Sequence, residues 1–277
     1  MSLATLNDVL IEGRAQKYAV GAYDFMTPTM MLGILDAAEE TKTPVILQFP
    51  DSPRGMADLD VFAPAMVAAA KKASVPVVVH LDHGKSVDAC KRCLEAGFSS
   101  IMIDSSTLPF DENVRITREV VALCKPRGIP VEAELGHVGQ GRDYDPDNYQ
   151  YTDPKEAAEF VAATGIDALA VAIGNAHGVY KGKPRINYPV LEEIVKAVSI
   201  PLVLHGGSGI PDEDFKKIIK MGVSKINIFT ELSQEATARL RKIENDKLDI
   251  FSATEAIREG FKARTLEKIK LFETKSI

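Results

Sequence analysis

The sequence predicts an α/β fold, a single (β/α)8 TIM barrel with extra C-terminal helices, over residues 1–277. Short apolar runs such as Val77-Val78-Val79 alternate with longer amphipathic stretches, and this alternation occurs eight times. Runs that are apolar almost throughout are typical of strands buried on both faces of a parallel sheet. A length of 277 residues also suits a barrel, which typically has about 250. The alternative is an open doubly wound sheet, which more often has about five or six strands.

The strands are expected where the apolar runs fall, at residues 18–25, 44–49, 75–82, 99–105, 129–136, 168–174, 200–205 and 225–229. Helices are expected between them, at residues 29–40, 61–73, 86–96, 113–125, 153–164, 189–198 and 212–221. The clearest helix start is at Asp153-Pro154, where a capping residue precedes proline and a glutamate follows three positions after the cap. Residues 5–14 are expected to form a helix at the bottom of the barrel. Residues 231–277 are expected to hold the eighth helix and the extra C-terminal helices.

The charge and composition argue against several classes of protein. The chain has 33 Lys and Arg against 39 Asp and Glu, a net charge of −6, which disfavours general binding to nucleic acid or anionic membranes. No apolar run approaches the roughly 20 residues that cross a bilayer, and the N-terminus does not resemble a signal peptide. Three cysteines are too few for a disulfide framework, so a cytoplasmic location is expected. Cys90 and Cys93 share one predicted helix and are interpreted as packed thiols, not a redox pair.

The five histidines, His80, His83, His137, His177 and His205, all lie in or just after the C-terminal part of a predicted strand. These strand ends converge on one face of a barrel, where active sites are built. The set therefore predicts a metal site. His80 lies deeper in its strand and is expected to be a buried, hydrogen-bonded residue, whereas His137 is expected to line the mouth.

The ligand candidates are His83, His177 and His205, each of which precedes a glycine that lets backbone and ligand approach closely. Three protein ligands with an open position are typical of catalytic zinc. Glu134 is expected to face inward, where a carboxylate needs a cation or a donor, and is a candidate alternate ligand or a group that orients one. Asp82 precedes His83 and can lie beside the metal, free to move protons. Asp104 ends its strand and is expected to support the site by hydrogen bonding.

The loops after the last two strands predict an anion site. His205-Gly206-Gly207-Ser208-Gly209 precedes a predicted helix, and Asn227 to Thr230 follows the final strand. Barrels often bind phosphate with these two loops and a helix N-terminus. The alternative is a simple glycine turn. Residues 139–151 form one long polar loop, interpreted either as a mobile lid or as a surface insertion.

Five ordered motifs together resemble the class II ketose-bisphosphate aldolases, which include the fructose- and tagatose-bisphosphate enzymes. The resemblance covers residues 5–240. The motifs are His80-Leu-Asp-His83-Gly, Glu132-Ala-Glu-Leu-Gly136, Gly174-Asn-Ala-His-Gly178, Leu204-His-Gly-Gly-Ser-Gly209 and Lys225-Ile-Asn-Ile-Phe-Thr-Glu231.

The resemblance implies reversible cleavage of a phosphorylated ketose, such as fructose or tagatose 1,6-bisphosphate, to dihydroxyacetone phosphate and an aldehyde. It implies that His83, His177 and His205 bind Zn²⁺ and that Asp82 donates and accepts the proton. The residues implied to hold the dihydroxyacetone-phosphate half are Gly178, Gly206, Gly207, Ser208, Asn227 and Thr230. A monovalent cation such as Na⁺ near the glycines and a homodimer or homotetramer are further implications.

One departure concerns the loop after the fifth predicted strand, which in many family members carries a glutamate that helps to move a substrate proton. The matching stretch here, residues 140–145, contains no glutamate. Asp143, Tyr144 or Asp145 are candidate replacements. Arg142 or Lys181 could instead contact the far end of a different sugar phosphate.

Three other functions fit parts of the pattern. A Schiff-base aldolase needs an inward lysine, but residues 168–174 contain none, and Lys225 is expected at the wrong end of its strand. A metal-dependent sugar-phosphate epimerase would isomerise the substrate without releasing dihydroxyacetone phosphate. A non-catalytic sugar-phosphate-binding protein would keep the pocket and not need Asp82.

Overall fold

Eight parallel strands close into a barrel in the computed structural model, which describes residues 2–51 and 58–276. The strands are β1 (Leu3–Ala4), β2 (Val20–Asp24), β3 (Val45–Pro50), β4 (Val77–Gly84), β5 (Ser100–Ile103), β6 (Val131–Leu135), β7 (Ala168–Val171), β8 (Leu202–Leu204) and β9 (Val223–Ile228). Strands β2 to β9 form the ring, which closes because β2 pairs with β9. The short β1 adds to the start of β4. All eight predicted strands are present, and the predicted barrel is confirmed.

The observed strands are shorter than several predicted ones because the chain leaves the sheet early. Residues 168–174 were predicted as one strand, whereas β7 ends at Val171. The next amides bond to side chains: Ala172 N donates to Thr152 Oγ1 at 2.8 Å, and Ile173 N donates to Asn175 Oδ1 at 2.8 Å. Apolar character alone therefore overestimates strand length where side chains replace the neighbouring strand.

Helices surround the ring. They are α1 (Leu6–Gln16), α2 (Pro28–Thr41), α3 (Leu59–Lys72), α4 (Val87–Glu95), α5 (Phe110–Cys124), α6 (Pro154–Thr164), α7 (Tyr188–Ala197), α8 (Asp212–Met221), α9 (Thr230–Leu240) and α10 (Ile250–Leu271). The predicted start of α6 is present as expected: Asp153 Oδ1 accepts from the amides of Lys155 at 2.8 Å and Glu156 at 2.9 Å. Three short 3-10 turns lie at Lys125–Arg127, Gly141–Asp143 and Asn245–Lys247.

The core has two parts, one between the strands and the helices and one inside the ring. The inner part contains Val20, Val78 and Val203 from the strands together with Leu6 and Leu10 from α1. Helix α1 therefore packs its apolar face against the amino end of the barrel interior, as the sequence predicted for residues 5–14. The opposite, carboxyl end of the ring is left for polar residues.

The C-terminal region forms two helices, α9 and the long α10, so the predicted extra C-terminal helices are confirmed. Helix α10 packs on α2, where Arg258 makes two hydrogen bonds to the Asp36 carboxylate, at 2.5 and 2.8 Å. Gly33 permits this approach, because a Cβ there would lie 2.4 Å from the Arg258 carbonyl oxygen. Among residues 2–51 and 58–276, no helix is both long enough and apolar enough to cross a bilayer.

Candidate active site

Three imidazole rings meet at the carboxyl end of the barrel. His83 lies near the end of β4, His177 follows β7 and His205 follows β8. Nε2 of His83 is 3.1 Å from Nε2 of His177 and 2.9 Å from Nδ1 of His205. Two imidazole nitrogens bound to one tetrahedral zinc ion at about 2.0–2.1 Å would lie about 3.3 Å apart. These two distances are therefore close to those expected around a shared metal ion, and ligand atoms of all three histidines lie within 4.8 Å of one another.

A local irregularity in β4 aims His83 at the other two rings. The register of β4 against β5 shifts between Leu81 and Gly84, and His83 has a φ of 50°, in the left-handed region. Such bulges re-aim side chains and are common near active sites, where backbone strain is tolerated. The apolar pattern of the strand gives no sign of this shift.

The outer nitrogen of each ring has its own partner. His83 Nδ1 donates to Asp104 Oδ2 at 2.8 Å, His177 Nδ1 to the carbonyl oxygen of Val138 at 3.0 Å, and His205 Nε2 to Glu132 Oε1 at 2.8 Å. Because a neutral imidazole carries one proton, these bonds leave three lone pairs facing one another. Only a cation placed between them, either a proton or a metal ion, relieves that repulsion.

The pKa values of the three rings follow from burial and from neighbouring charges. Burial disfavours a charged His83, but the carboxylates of Asp82 and Asp104 outweigh it and raise the pKa of His83 to about 9. Burial, followed by the charge of His83, lowers the pKa of His177 and places that of His205 well below its usual value. The metal-free cluster therefore accepts a single proton, on His83, in the position where a metal cation would bind.

Glu134 lies next to the three rings. Its Oε1 accepts from Val138 N at 2.8 Å and from Ser106 Oγ at 3.0 Å. Its Oε2 is buried, lies 3.4 Å from His205 Nδ1, and has no hydrogen-bond partner among the described residues. A buried carboxylate oxygen without a donor is costly unless a cation is near. Two overlapping sets of candidate ligand atoms result: the three histidines, and His83 with Asp104 and Glu134.

Asp82 lies beside the imidazoles without replacing any of them. Its Oδ2 is 3.9 Å from His83 Nε2, and its Oδ1 accepts from Asn227 Nδ2 at 2.9 Å. Asp82 is buried. Next to it, burial and then the charge of Asp82 raise the pKa of Asp24 well above its usual value, although Asp24 accepts a weak hydrogen bond from Gln48. The Asp82 carboxylate is therefore placed to exchange a proton with a molecule bound over the histidines.

A buried lysine lies beneath the site, and its backbone is in the amino-terminal half of β9, as the sequence predicted. The Lys225 side chain is long and extends toward the carboxyl end of the barrel. Its Nζ donates to Asn227 Oδ1 at 2.9 Å. Nζ also lies 2.9 Å from Glu132 Oε2. Lys225 and Glu132 are both fully buried. A charged residue inside an apolar strand was the available signal, but side-chain reach could not be read from position alone.

The loops after β8 and β9 border a cavity of about 610 Å³, whose lining includes Gly178, Ser208, Gly209 and Thr230. Helix α9 starts at Thr230, and its N-cap residue, Phe229, makes no side-chain capping hydrogen bond. Glu231 N donates to Ser208 Oγ at 3.3 Å, which joins the two loops. Hydroxyl groups and a helix N-terminus suit an anion.

The structure changes the expected contribution of Gly207 to this anion site. Its amide donates to the carbonyl oxygen of Asn227 at 3.0 Å and is therefore occupied within the fold. A Cβ at Gly207 would lie 2.9 Å from that oxygen. Gly207 thus permits the loop to approach β9, while Ser208 and the start of α9 remain the groups nearest the cavity.

The loop after β6 is attached to the loop after β7. His177 N donates to Gly139 O at 2.8 Å, and Gly141 N donates to His177 O at 2.7 Å. The Tyr144 hydroxyl accepts from Arg185 N at 2.8 Å. Asp143 and Asp145 are exposed. Which of Asp143, Tyr144 and Asp145 replaces the missing glutamate therefore stays a prediction, as does a lid movement.

The remaining histidines and cysteines lie where the sequence suggested. His80 is fully buried, with Nδ1 2.8 Å from Ser100 Oγ. His137 is half exposed at the mouth, with Nδ1 3.1 Å from Ser106 Oγ. The three cysteines are free and buried, and burial raises the pKa of the Cys93 thiol to about 12, which does not favour a reactive thiolate.

Comparisons with known proteins show the family and the fold of the chain. The profile of the family described as fructose-bisphosphate aldolase class-II matches residues 4–276. The Escherichia coli K12 protein YdjI, described as uncharacterized, is 47% identical over 257 residues, 92% of each chain. A fructose-bisphosphate aldolase of Staphylococcus epidermidis is 40% identical over 278 residues, 96% of this chain and 97% of the relative. The crystal structure of the YdjI aldolase superimposes with a TM-score of 0.89 and 42% identity, covering 98% of both chains.

Proposed function

Because the chain belongs to the class-II fructose-bisphosphate aldolase family, we propose that it is a metal-dependent aldolase acting on a phosphorylated ketose. The reaction is reversible cleavage to dihydroxyacetone phosphate and an aldehyde. The observation that carries the proposal is the convergence of three imidazole lone pairs from His83, His177 and His205. Fructose 1,6-bisphosphate, tagatose 1,6-bisphosphate and related ketose phosphates are the candidate substrates.

The proposed metal ligands are Nε2 of His83, Nε2 of His177 and Nδ1 of His205, and the metal is Zn²⁺. A bound zinc ion supplies a Lewis acid that polarises a ketone oxygen. Asp104, the Val138 carbonyl and Glu132 hold the three rings in orientation through their outer nitrogens. Glu134 is the proposed alternate ligand, since the buried Oε2 lies 3.4 Å from His205 Nδ1.

Asp82 is the proposed catalytic acid and base. In the cleavage direction its carboxylate takes the proton from the C4 hydroxyl of the ketose, and in condensation it returns that proton to the aldehyde oxygen. The hydrogen bond from Asn227 Nδ2 holds Oδ1, which leaves Oδ2 for the substrate. The 3.9 Å between Oδ2 and His83 Nε2 keeps Asp82 close to the reacting carbon atoms without making it a ligand.

The phosphate of the dihydroxyacetone-phosphate half is proposed to bind between the loops after β8 and β9. Ser208 and Thr230 provide hydroxyl groups, and the start of α9 provides amides and the positive end of a helix dipole. Gly178 and Gly206 border the same region with φ values of 81° and 62°. Asn227, which already donates to Asp82, is proposed to contact the substrate as well. A monovalent cation such as Na⁺ near these glycines is part of the proposal.

We propose that this enzyme differs from its relatives in the aldehyde half of its substrate, the part beyond dihydroxyacetone phosphate. The loop after β6 lacks the glutamate described above; its Tyr144 hydroxyl accepts from Arg185 N, and Asp143 and Asp145 are exposed. We therefore extend the candidate substrates to ketose phosphates with a different far end. We also infer a cytoplasmic homodimer or homotetramer; the free cysteines agree with a reducing compartment.

The test is a coupled assay for dihydroxyacetone phosphate across a panel of ketose mono- and bisphosphates, with metal analysis of the same sample. We expect release that stops after treatment with EDTA and returns with Zn²⁺. Conversion of substrate into an isomer without dihydroxyacetone phosphate would instead identify an epimerase. Activity that survives EDTA and is trapped by borohydride would identify a Schiff-base aldolase.

A further inference from the structure

A fully buried ion pair lies beneath the candidate active site. Lys225 Nζ is 2.9 Å from Glu132 Oε2 and 3.2 Å from Glu132 Oε1, and both side chains have no exposed surface. Burying two charges carries a desolvation penalty that their mutual attraction often fails to offset. Stability alone is therefore a weak reason for this pair, and its contacts with the site indicate another role.

The first contact fixes the orientation of an amide. The oxygen and nitrogen ends of an asparagine side chain have almost the same shape, so neighbouring donors and acceptors decide which way it faces. The Lys225 ammonium can only donate, and it lies 2.9 Å from Asn227 Oδ1. Nδ2 must then face the opposite way, where it donates to Asp82 Oδ1 at 2.9 Å. Lys225 thus determines that Asp82 receives a donor and not a repelling oxygen.

The second contact joins this arrangement to the imidazole cluster. Glu132 Oε1 accepts from His205 Nε2 at 2.8 Å, while the same carboxylate receives the Lys225 ammonium. One continuous series of contacts therefore runs from His205 through Glu132, Lys225 and Asn227 to Asp82. Each link is buried.

We propose that Lys225 is a positioning residue that orients the Asn227 amide, holds the Asp82 carboxylate through it, and ties both to His205 through Glu132. This inference rests on the proposed aldolase function for its kinetic consequence. Lys225 does not touch the substrate and is not a Schiff-base lysine, because its ammonium is enclosed by acceptors. Its effect reaches the reaction only through Asn227 and Asp82.

The test compares Lys225→Met with Lys262→Met, a control that removes a lysine paired with Glu40 at 2.8 Å on the outer helices. We expect Lys225→Met to keep its zinc, because all three histidines remain, and to lose about 100-fold in kcat, the scale of a misplaced catalytic group. KM should rise much less than kcat falls, since the phosphate contacts of Ser208 and Thr230 are untouched and only the contact from Asn227 is displaced. Lys262→Met should match the wild type.

A double-mutant cycle separates positioning from general damage. Because Lys225 acts through Asn227, Lys225→Met should cause little further loss of kcat in an Asn227→Ala background. Equal losses in both backgrounds, or a wild-type kcat in Lys225→Met, would overturn the inference. If Lys225→Met does not fold, the double variant Lys225→Met/Glu132→Gln removes both buried charges. A wild-type kcat in that variant, or failure of it to fold as well, would also count against a positioning role.

A structural measurement keeps this inference distinct from the proposed function. In a crystal structure of Lys225→Met, or of the charge-neutral double variant, the Asn227 side chain should move out of hydrogen-bond distance of Asp82. An unchanged contact would overturn the inference even if the wild type is an active aldolase. Conversely, a wild type that releases no dihydroxyacetone phosphate refutes the function, while the movement of Asn227 still decides the role of Lys225.

Discussion

Nε2 of His83 lies 3.1 Å from Nε2 of His177, although the outer nitrogen of each ring already donates to another residue. Two neutral rings in this arrangement present lone pairs to each other, and His205 adds a third. The cluster is therefore stable only with a positive charge at its centre. In the metal-free protein that charge is a proton on His83, whose pKa is raised to about 9.

Because the His83 proton and a zinc ion would compete for the same position, metal binding should depend on pH. Since the raised pKa of His83 is about 9, the metal-free site holds the proton throughout the range below pH 9 and loses it above. Zinc must displace it, so binding at pH 7 should release about one proton per subunit, and affinity should rise about tenfold per pH unit up to pH 9. Calorimetry in buffers of different ionisation enthalpy measures the release. Binding without proton release at pH 7 would contradict this description of the cluster.

Removing one ring should remove the metal. In His177→Ala two of the three nitrogens remain, and we expect loss of both bound zinc and turnover. Metal content is measured by elemental analysis and turnover by release of dihydroxyacetone phosphate. His137→Ala is the matched control, because it also removes an imidazole at the mouth, half exposed and not one of the three proposed ligands; it should retain its zinc. Full turnover in His177→Ala would refute the ligand assignment.

Removing the carboxylate beside the metal should separate metal binding from chemistry. Asp82→Ala leaves all three imidazoles in place, so we expect normal zinc content. The kcat should fall by about 10²- to 10⁴-fold, the usual contribution of a general acid or base. Loss of zinc together with activity would show that Asp82 acts as a ligand. Unchanged turnover would assign the proton transfer to another group.

Removing a hydroxyl group from the proposed anion site should raise KM. Ser208→Ala removes a hydroxyl beside the start of α9, and a hydrogen bond to a charged group contributes about 1.5–3 kcal/mol. We therefore expect KM for the phosphorylated ketose to rise by about tenfold or more, with a smaller change in kcat and no loss of zinc. Ser233→Ala, one turn further along α9, is the control. Equal kinetics in both variants would place the phosphate elsewhere.

The sequence predicted the barrel well because its signals are local. Apolar runs identified all eight strands, and the strand ends identified His83, His177 and His205 as neighbours. Features that depend on three-dimensional detail were not accessible. The register shift in β4 that aims His83 has no apolar signature, and the use of the Gly207 amide within the fold depends on how closely two loops approach.

Lys225 shows the same limit for side chains. Its position in the sequence placed its Cα below the site, and the prediction that it lies at the wrong end followed from that position. The structure shows that a lysine side chain spans the distance to Asn227. A lysine and a glutamate in two apolar strands were visible in the sequence, but their full burial and their pairing across the barrel required the fold.

Anomalous diffraction at the zinc edge from crystals of the active enzyme tests the metal centre most directly. We predict one peak per subunit, at about 2.0–2.1 Å from Nε2 of His83, Nε2 of His177 and Nδ1 of His205. Catalytically competent crystals with no peak among these nitrogens, or with a metal ion bound elsewhere, would contradict the account.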